Sequence, residues 1–161
     1  GFDVAESVIG RLPGYARSFC MRSIHHRGSV ERPGLVLALD ADTGTACDGM
    51  ALRVAPGTEE ATLAYLRERE LVSSAYVEKT LDVQLEDGRT VAALVYVIDA
   101  EHDQYCGGLP LEEQAQIISG AVGGMGPNTE YLFNTAAHLT QIGLHDPSLA
   151  WLHDRVKTLC A

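Results

Sequence analysis

A chain of 161 residues is long enough for one domain with a sizeable core, and 46% apolar with 21% charged residues is ordinary globular composition. Aspartate and glutamate outnumber lysine and arginine 22 to 12, a formal net charge of −10, which repels phosphate backbones and anionic lipid and argues against nucleic-acid and membrane partners. No apolar run approaches the roughly 18 residues of a membrane span and no signal-peptide pattern is seen, so a cytoplasmic location is expected.

The first half reads as strands. "GLVLALD" (34–40) and "GMALRV" (49–54) are short apolar runs, and the Asp-, Thr- and Gly-rich segment 41–48 predicts a turn between them. Leu81, Val83 and Leu85 alternate with polar residues, "EDGR" (86–89) supplies turn chemistry, and "VAALVYVID" (91–99) returns, which predicts a β-hairpin. Helices dominate the remainder. "TEEATLAYLRERE" (58–70) offers Thr58 as N-cap with two glutamates in the first turn. "PLEEQAQIISGAV" (110–122) begins on a proline, "NTEYLFNTAAHLTQIG" (128–143) offers Asn128 as cap and Gly143 as stop, and "DPSLAWLHDRVKTL" (146–159) opens Asp-Pro-Ser. Strands first and helices late predict an α+β fold with an antiparallel or mixed sheet.

Four charged residues, Arg67 to Glu70, sit among leucines at the end of the first predicted helix. At about 100° per residue, with Leu63 at zero, Leu66 falls near ~300° and Glu70 near ~340°, between them. Glu68 and Arg69 fall off that face, and Arg67, near ~40°, is placed to pair with Glu70 at i, i+3. A carboxylate on an apolar face is costly to ionise unless it is satisfied, which suits acid–base chemistry near neutral pH; a helix-end carboxylate paired with Arg67 is the plainer alternative.

Other features carry less. His25-His26 would point to opposite faces of a strand with no further ligand at metal spacing, so no metal is expected. Cys20, Cys47, Cys106 and Cys160 are widely spaced, which fits reduced thiols better than a disulfide frame or a zinc site. "GAVGGMG" (120–126) has neither the preceding strand nor the lysine of a phosphate loop and reads as a flexible helix–helix connection.

Four segments, "LPGYARSFCMRSIHHRG" (12–28), "GMALRV", "YLREREL…Y" (65–76) and "NTEYLF" (128–133), occur in an order and spacing that resemble the ChaC-like γ-glutamylcyclotransferases. "HLTQIGLHDPSLAWL" (138–152) is similar to the bacterial branch. The resemblance covers nearly the whole chain, residues 1–161, as a single domain. It implies a small mixed or antiparallel β-barrel flanked by helices, and an enzyme that needs no cofactor and cleaves glutathione to 5-oxoproline and cysteinylglycine. The family's catalytic glutamate belongs to an Arg-Glu pair that falls here on Arg69-Glu70. Tyr131 resembles a family tyrosine near the substrate, Tyr76 is expected to line the same pocket, and Arg27 offers a guanidinium fork to a substrate carboxylate. Two of them have a structural alternative: Tyr131 lies at the flank of a Leu132, Ala136, Leu139 stripe, and an arginine beside a glycine turn often braces the loop.

The family's opening strand and its Tyr-Gly-Ser-Leu loop have no counterpart here, and Gly1-Phe2-Asp3 resembles the residues that follow that loop. The chain is therefore expected to be N-terminally incomplete and catalytically impaired, with an unpaired barrel edge that invites a homodimer or strand swap. The alternative function is a catalytically silent interaction or regulatory module on the same scaffold.

Overall fold

The computed structural model describes all 161 residues. Ten elements follow one another: β1 (Val4–Ser23), β2 (Gly34–Val54), α1 (Glu59–Glu70), β3 (Tyr76–Leu85), β4 (Thr90–Ile98), α2 (Leu111–Gly120), β5 (Val122–Gly123), β6 (Gly126–Pro127), α3 (Asn128–Gln141) and α4 (Pro147–Leu159). The α+β class is as expected. Four strands close into a barrel in the order β1-β2-β4-β3, and β5 pairs with β6 in a separate two-stranded sheet. The chain divides into two compact units, residues 1–17 with 39–102 and residues 18–38 with 103–161.

The first unit is built on the predicted hairpin. β3 and β4 pair antiparallel from Tyr76↔Ile98 to Gln84↔Thr90, so each pair sums to the same number, the register that the Asp87-Gly88 turn dictates. Gly88 takes φ 94°, and Asp87 accepts from the Arg89 N–H, which together fix the turn. β1 joins β3 antiparallel at Gly10↔Leu85, and β2 joins β4 parallel at Leu39↔Val97. With β1 also beside β2, these joints close the ring, so the unpaired edge expected from the sequence is absent. Leu12, Val83 and Leu85 are buried inside it, with Val8, Leu39 and Val95 packed around them.

The turn expected at 41–48 is strand. β2 runs unbroken through it, with the irregularity absorbed at Gly44 (φ 91°), and β-branched Thr43 and Thr45 suit extended backbone. Arg11 grips the Asp48 carboxylate at 2.8 and 3.1 Å and Arg17 donates to the Asp48 carbonyl at 2.6 Å, tying this segment to β1.

In the second unit, Phe19, Leu35, Ile118, Leu132, Leu152 and Val156 form a buried core. The expected stripe on α3 is its inner face, with Leu132 and Leu139 buried. Glu112 on α2 and Arg155 on α4 form a two-pronged ion pair at 2.7 and 2.8 Å. Asp146 caps α4 as expected, accepting from the Leu149 N–H at 3.0 Å.

Two predicted caps differ. Thr58 occupies the N-cap of α1, but its hydroxyl donates back to the Ala55 carbonyl at 2.6 Å instead of accepting from the helix. Asn128 is not the cap of α3, because Pro127 holds that position and Asn128 is fully buried. The glycine-rich 120–126 segment is pinned rather than loose: Gly124 and Met125 donate to the His25 and His26 carbonyls at 2.8 Å, and a Cβ at Gly123 would collide with the backbone of His26 and Gly28. His25 and His26 lie exposed in the bend after β1, not on a strand. No disulfide joins the four cysteines, and Cys20, Cys47 and Cys106 are buried. No helix is long and apolar enough to cross a membrane.

Candidate active site

α1 ends on Glu70, and Leu71 closes the helix by donating to the Arg67 carbonyl at 3.0 Å. Of the four charged residues in its last turn, Arg67, Glu68 and Arg69 are exposed and Glu70 alone is half-buried, its side chain 29% accessible. The carboxylate thus reaches solvent, and a small solute, from a partly shielded position. Arg69 Nε lies 3.5 Å from Glu70 Oε1.

The expected Arg67–Glu70 pairing is replaced. Arg67 turns to Glu78 on β3, with Nη2 and Nε at 3.0 and 3.1 Å from its two carboxylate oxygens, because the hairpin offers a fixed two-oxygen acceptor that matches the guanidinium fork. The predicted apolar face of α1 is also thinner than the wheel suggests: Thr62 is the buried residue, and Ala64 is exposed.

Between Glu70 and β3 the chain makes a short link. Ser74 sits at φ 60°, the left-handed region that costs a non-glycine residue about 1–2 kcal/mol. Such strain persists where the surroundings over-determine it, and here Ala75 is fully buried with its carbonyl accepting from the Asp99 N–H at 2.8 Å. Tyr76, the next residue, opens β3 opposite Ile98 and is half-buried. Glu70 and Tyr76 therefore bracket one constrained link in the first unit.

Sequence reasoning missed two members of this neighbourhood. Tyr96 on β4 stands directly across from Glu78 and donates its hydroxyl to Glu78 Oε1 at 2.9 Å. Its pKa is pushed up to about 12, first by burial, then by the Glu78 hydrogen bond and charge, with the Glu70 charge also felt. Glu78 is held below the usual carboxylate range by the hydrogen bonds from Arg67 and then Tyr96. The signal was present in the hairpin: once the Asp87-Gly88 turn sets the register, Glu78 and Tyr96 must face each other.

Arg27 and Tyr131 belong to the second unit, where they lie together. The Arg27 guanidinium stands 5.8 Å over the Tyr131 ring. Its side chain is only 14% accessible, and Nη1 donates to the Pro127 carbonyl at 3.1 Å and to Glu130 at 3.2 Å. Ser23 holds the loop by accepting from the Arg27 N–H at 2.9 Å. The Tyr131 hydroxyl oxygen accepts from the Leu37 N–H at 3.1 Å, and burial raises its pKa. Both side chains thus brace the fold, whatever else they touch. No group of three His, Cys, Asp or Glu side chains is arranged to hold a metal ion.

The profile of the ChaC-like protein family matches residues 1–159. The glutathione-specific gamma-glutamylcyclotransferase of Escherichia coli (strain K12) is 35% identical over 159 residues, covering 99% of this chain and 68% of that protein. Gamma-glutamylcyclotransferase 2-3 of Arabidopsis thaliana is 31% identical over 163 residues, covering 98% of this chain and 82% of that protein. The fold matches the crystal structure of a yeast γ-glutamyl cyclotransferase specific to glutathione with a TM-score of 0.82 at 20% identity, over 99% of this chain and 92% of the other.

Proposed function

The chain belongs to the ChaC-like protein family, and from that premise we propose that it is a γ-glutamylcyclotransferase that cleaves glutathione to 5-oxoproline and cysteinylglycine, with residues 1–161 acting as one catalytic domain and Glu70 as its proton carrier. The observation that carries the residue assignment is the half-burial of Glu70 alone among four adjacent charges, at the position of the family's Arg-Glu pair.

The reaction asks little of the protein beyond folding the substrate and moving one proton. In a γ-glutamyl peptide the α-amine nitrogen can reach its own γ-carbonyl carbon. A nitrogen–carbon bond forms, closing a five-membered ring, while the bond from that carbon to the cysteine nitrogen breaks. Nucleophile and electrophile share one molecule, so orientation replaces collision. The amine must lose a proton to attack and the leaving amine must gain one. A single carboxylate that accepts the first and returns the second balances the reaction without water, metal or covalent intermediate. Glu70 is reachable, while Glu78 has both oxygens engaged by Arg67 and Tyr96.

Substrate contact is assigned to Tyr131 on its resemblance to a family tyrosine, to Tyr76 on its place six residues after Glu70, and to Arg27 on its guanidinium fork. The net charge of −10 argues against nucleic-acid partners, and glutathione is the small-molecule partner expected. Replacing Glu70 by Gln keeps size and removes the base. We expect 5-oxoproline formation from glutathione to fall by about 10²–10⁴-fold while the circular dichroism spectrum is unchanged. Near-normal turnover in Glu70→Gln would remove it from the reaction. A wild-type chain that folds but forms no 5-oxoproline from glutathione would favour the silent-module reading.

A further inference from the structure

Glu78 ties together α1, β3 and β4 through its carboxylate. It lies on β3, its side chain is 20% accessible, and its Oε1 accepts both the Tyr96 hydroxyl at 2.9 Å and Arg67 Nε at 3.1 Å, while Oε2 accepts Arg67 Nη2 at 3.0 Å. Arg67 is one helical turn before Glu70 on the same helix, and α1 ends at Glu70. The final turn of α1 is therefore fastened to the hairpin through one carboxylate, itself held from across the sheet by the directly opposed Tyr96. A helix end otherwise frays, and fraying would let Glu70 wander.

We propose that Glu78 is a positioning residue for Glu70: with Arg67 and Tyr96 it forms a clamp that fixes the last turn of α1, and so the place from which the Glu70 carboxylate meets its substrate. This rests on the assignment of Glu70 as proton carrier. Charge supports the same arrangement. Arg67 pairs with Glu78, so this carboxylate adds no bare negative charge beside the last turn of α1. The Tyr96 hydroxyl, bonded to Glu78, also feels the charge of Glu70. Arg69, 3.5 Å from Glu70, is the other cation at this helix end.

The clamp acts on orientation rather than on substrate binding, and that separates it from a merely structural role. In Glu78→Gln one oxygen survives to accept from Tyr96 but the ion pair with Arg67 is lost. The expected result is a fall in kcat of about 10–100-fold, the scale of a misplacement near 1 Å, with the glutathione KM within about threefold of wild type. Tyr96→Phe removes only the hydroxyl and keeps the ring, so it should fold even where Glu78→Gln does not; its kcat should fall about threefold to tenfold, again with KM held. Glu70→Gln is assayed beside them. If Glu70→Gln is dead while Tyr96→Phe and a folded Glu78→Gln turn over at the wild-type kcat, the clamp is overturned and the proton carrier stands. If either variant instead raises KM as much as it lowers kcat, the role is general structural support and the positioning proposal is likewise overturned. Turnover by Glu70→Gln would overturn the proton carrier and the clamp with it.

Discussion

Asn128 is the residue whose replacement most sharply tests how this fold is held. It is fully buried at the first position of α3, with its Oδ1 accepting the Leu35 N–H at 2.8 Å and its Nδ2 donating to the Leu35 carbonyl at 2.8 Å. Leu35 is itself fully buried, so the side-chain amide acts as a piece of β-ladder between α3 and the start of β2. Asn128→Ala strips both partners from a buried peptide group. At about 1–3 kcal/mol for each buried polar group left unsatisfied, the loss is about 2–6 kcal/mol. That is a large share of the roughly 5–15 kcal/mol that holds a typical domain. At about 2–4 °C per kcal/mol for a chain of this length, Tm should drop by about 4–24 °C.

Asn128→Asp discriminates further. An exposed N-cap, as the sequence alone suggests, would accept Asp as well as Asn. In the buried site a carboxylate oxygen would face the Leu35 carbonyl, acceptor against acceptor, whereas the protonated acid could donate to it. The folded state therefore favours the protonated form and raises the folded pKa above the unfolded value near ~3.9. The protonated form's contribution is fully present below that unfolded value and is lost as pH rises through the raised folded one, so the deficit against wild type should widen between about pH 4 and pH 8. Thermal unfolding followed by circular dichroism across that range is the assay. A loss below about 1 kcal/mol in Asn128→Ala, or an Asn128→Asp deficit that ignores pH, would refute the ladder.

Two further outcomes follow from the second unit. Glu112 is held down to about 2 from its ordinary 4.5 by hydrogen bonds, first from Arg155 and then from Gln116, so the α2–α4 clamp contributes fully above the ordinary value and is lost as pH falls toward 2. The Tm gap between wild type and Glu112→Gln should accordingly narrow when unfolding is repeated from pH 6 down to pH 2.5. A gap constant across that range would mean the ion pair contributes nothing. Tyr131→Phe deletes the acceptor of the Leu37 N–H and should lower Tm by about 2–4 °C, for about 1 kcal/mol lost. If Tyr131 also touches the glutamyl group, the glutathione KM rises about threefold to tenfold in the same variant; an unchanged KM would leave it a brace only.

What was legible in the sequence was what local rules govern. The alternation of Leu81, Val83 and Leu85 and the Asp87-Gly88 turn give the hairpin and its register, Asp146 its cap, and the leucine spacing of α3 its buried face. The inward lean of Glu70 was legible, because helical periodicity turns it and Arg67 toward the leucines and Glu68 and Arg69 away, and of the four it is Glu70 that is half-buried. Partners were not legible, because they come from elsewhere in the chain. A wheel drawn on α1 sends Arg67 to Glu70, its neighbour in the helix, and cannot see Glu78 waiting on β3. The same blindness turns Asn128 into a surface cap when it is a buried ladder rung, and turns 120–126 into a loose joint when its glycines admit the backbone of 25–28.

The correction to Arg67 changes the chemistry as well as the map. With Arg67 on Glu70 as well as Arg69, both oxygens of the proposed base would be drawn to guanidinium groups. With Arg67 on Glu78, only Arg69 stands against Glu70, 3.5 Å from Oε1, and the Glu70 side chain stays 29% accessible. On the proposed reading, two glutamates eight residues apart divide the labour: one is bound so that the other is placed. A reaction with one proton to move would then need a second carboxylate only to hold the first in position.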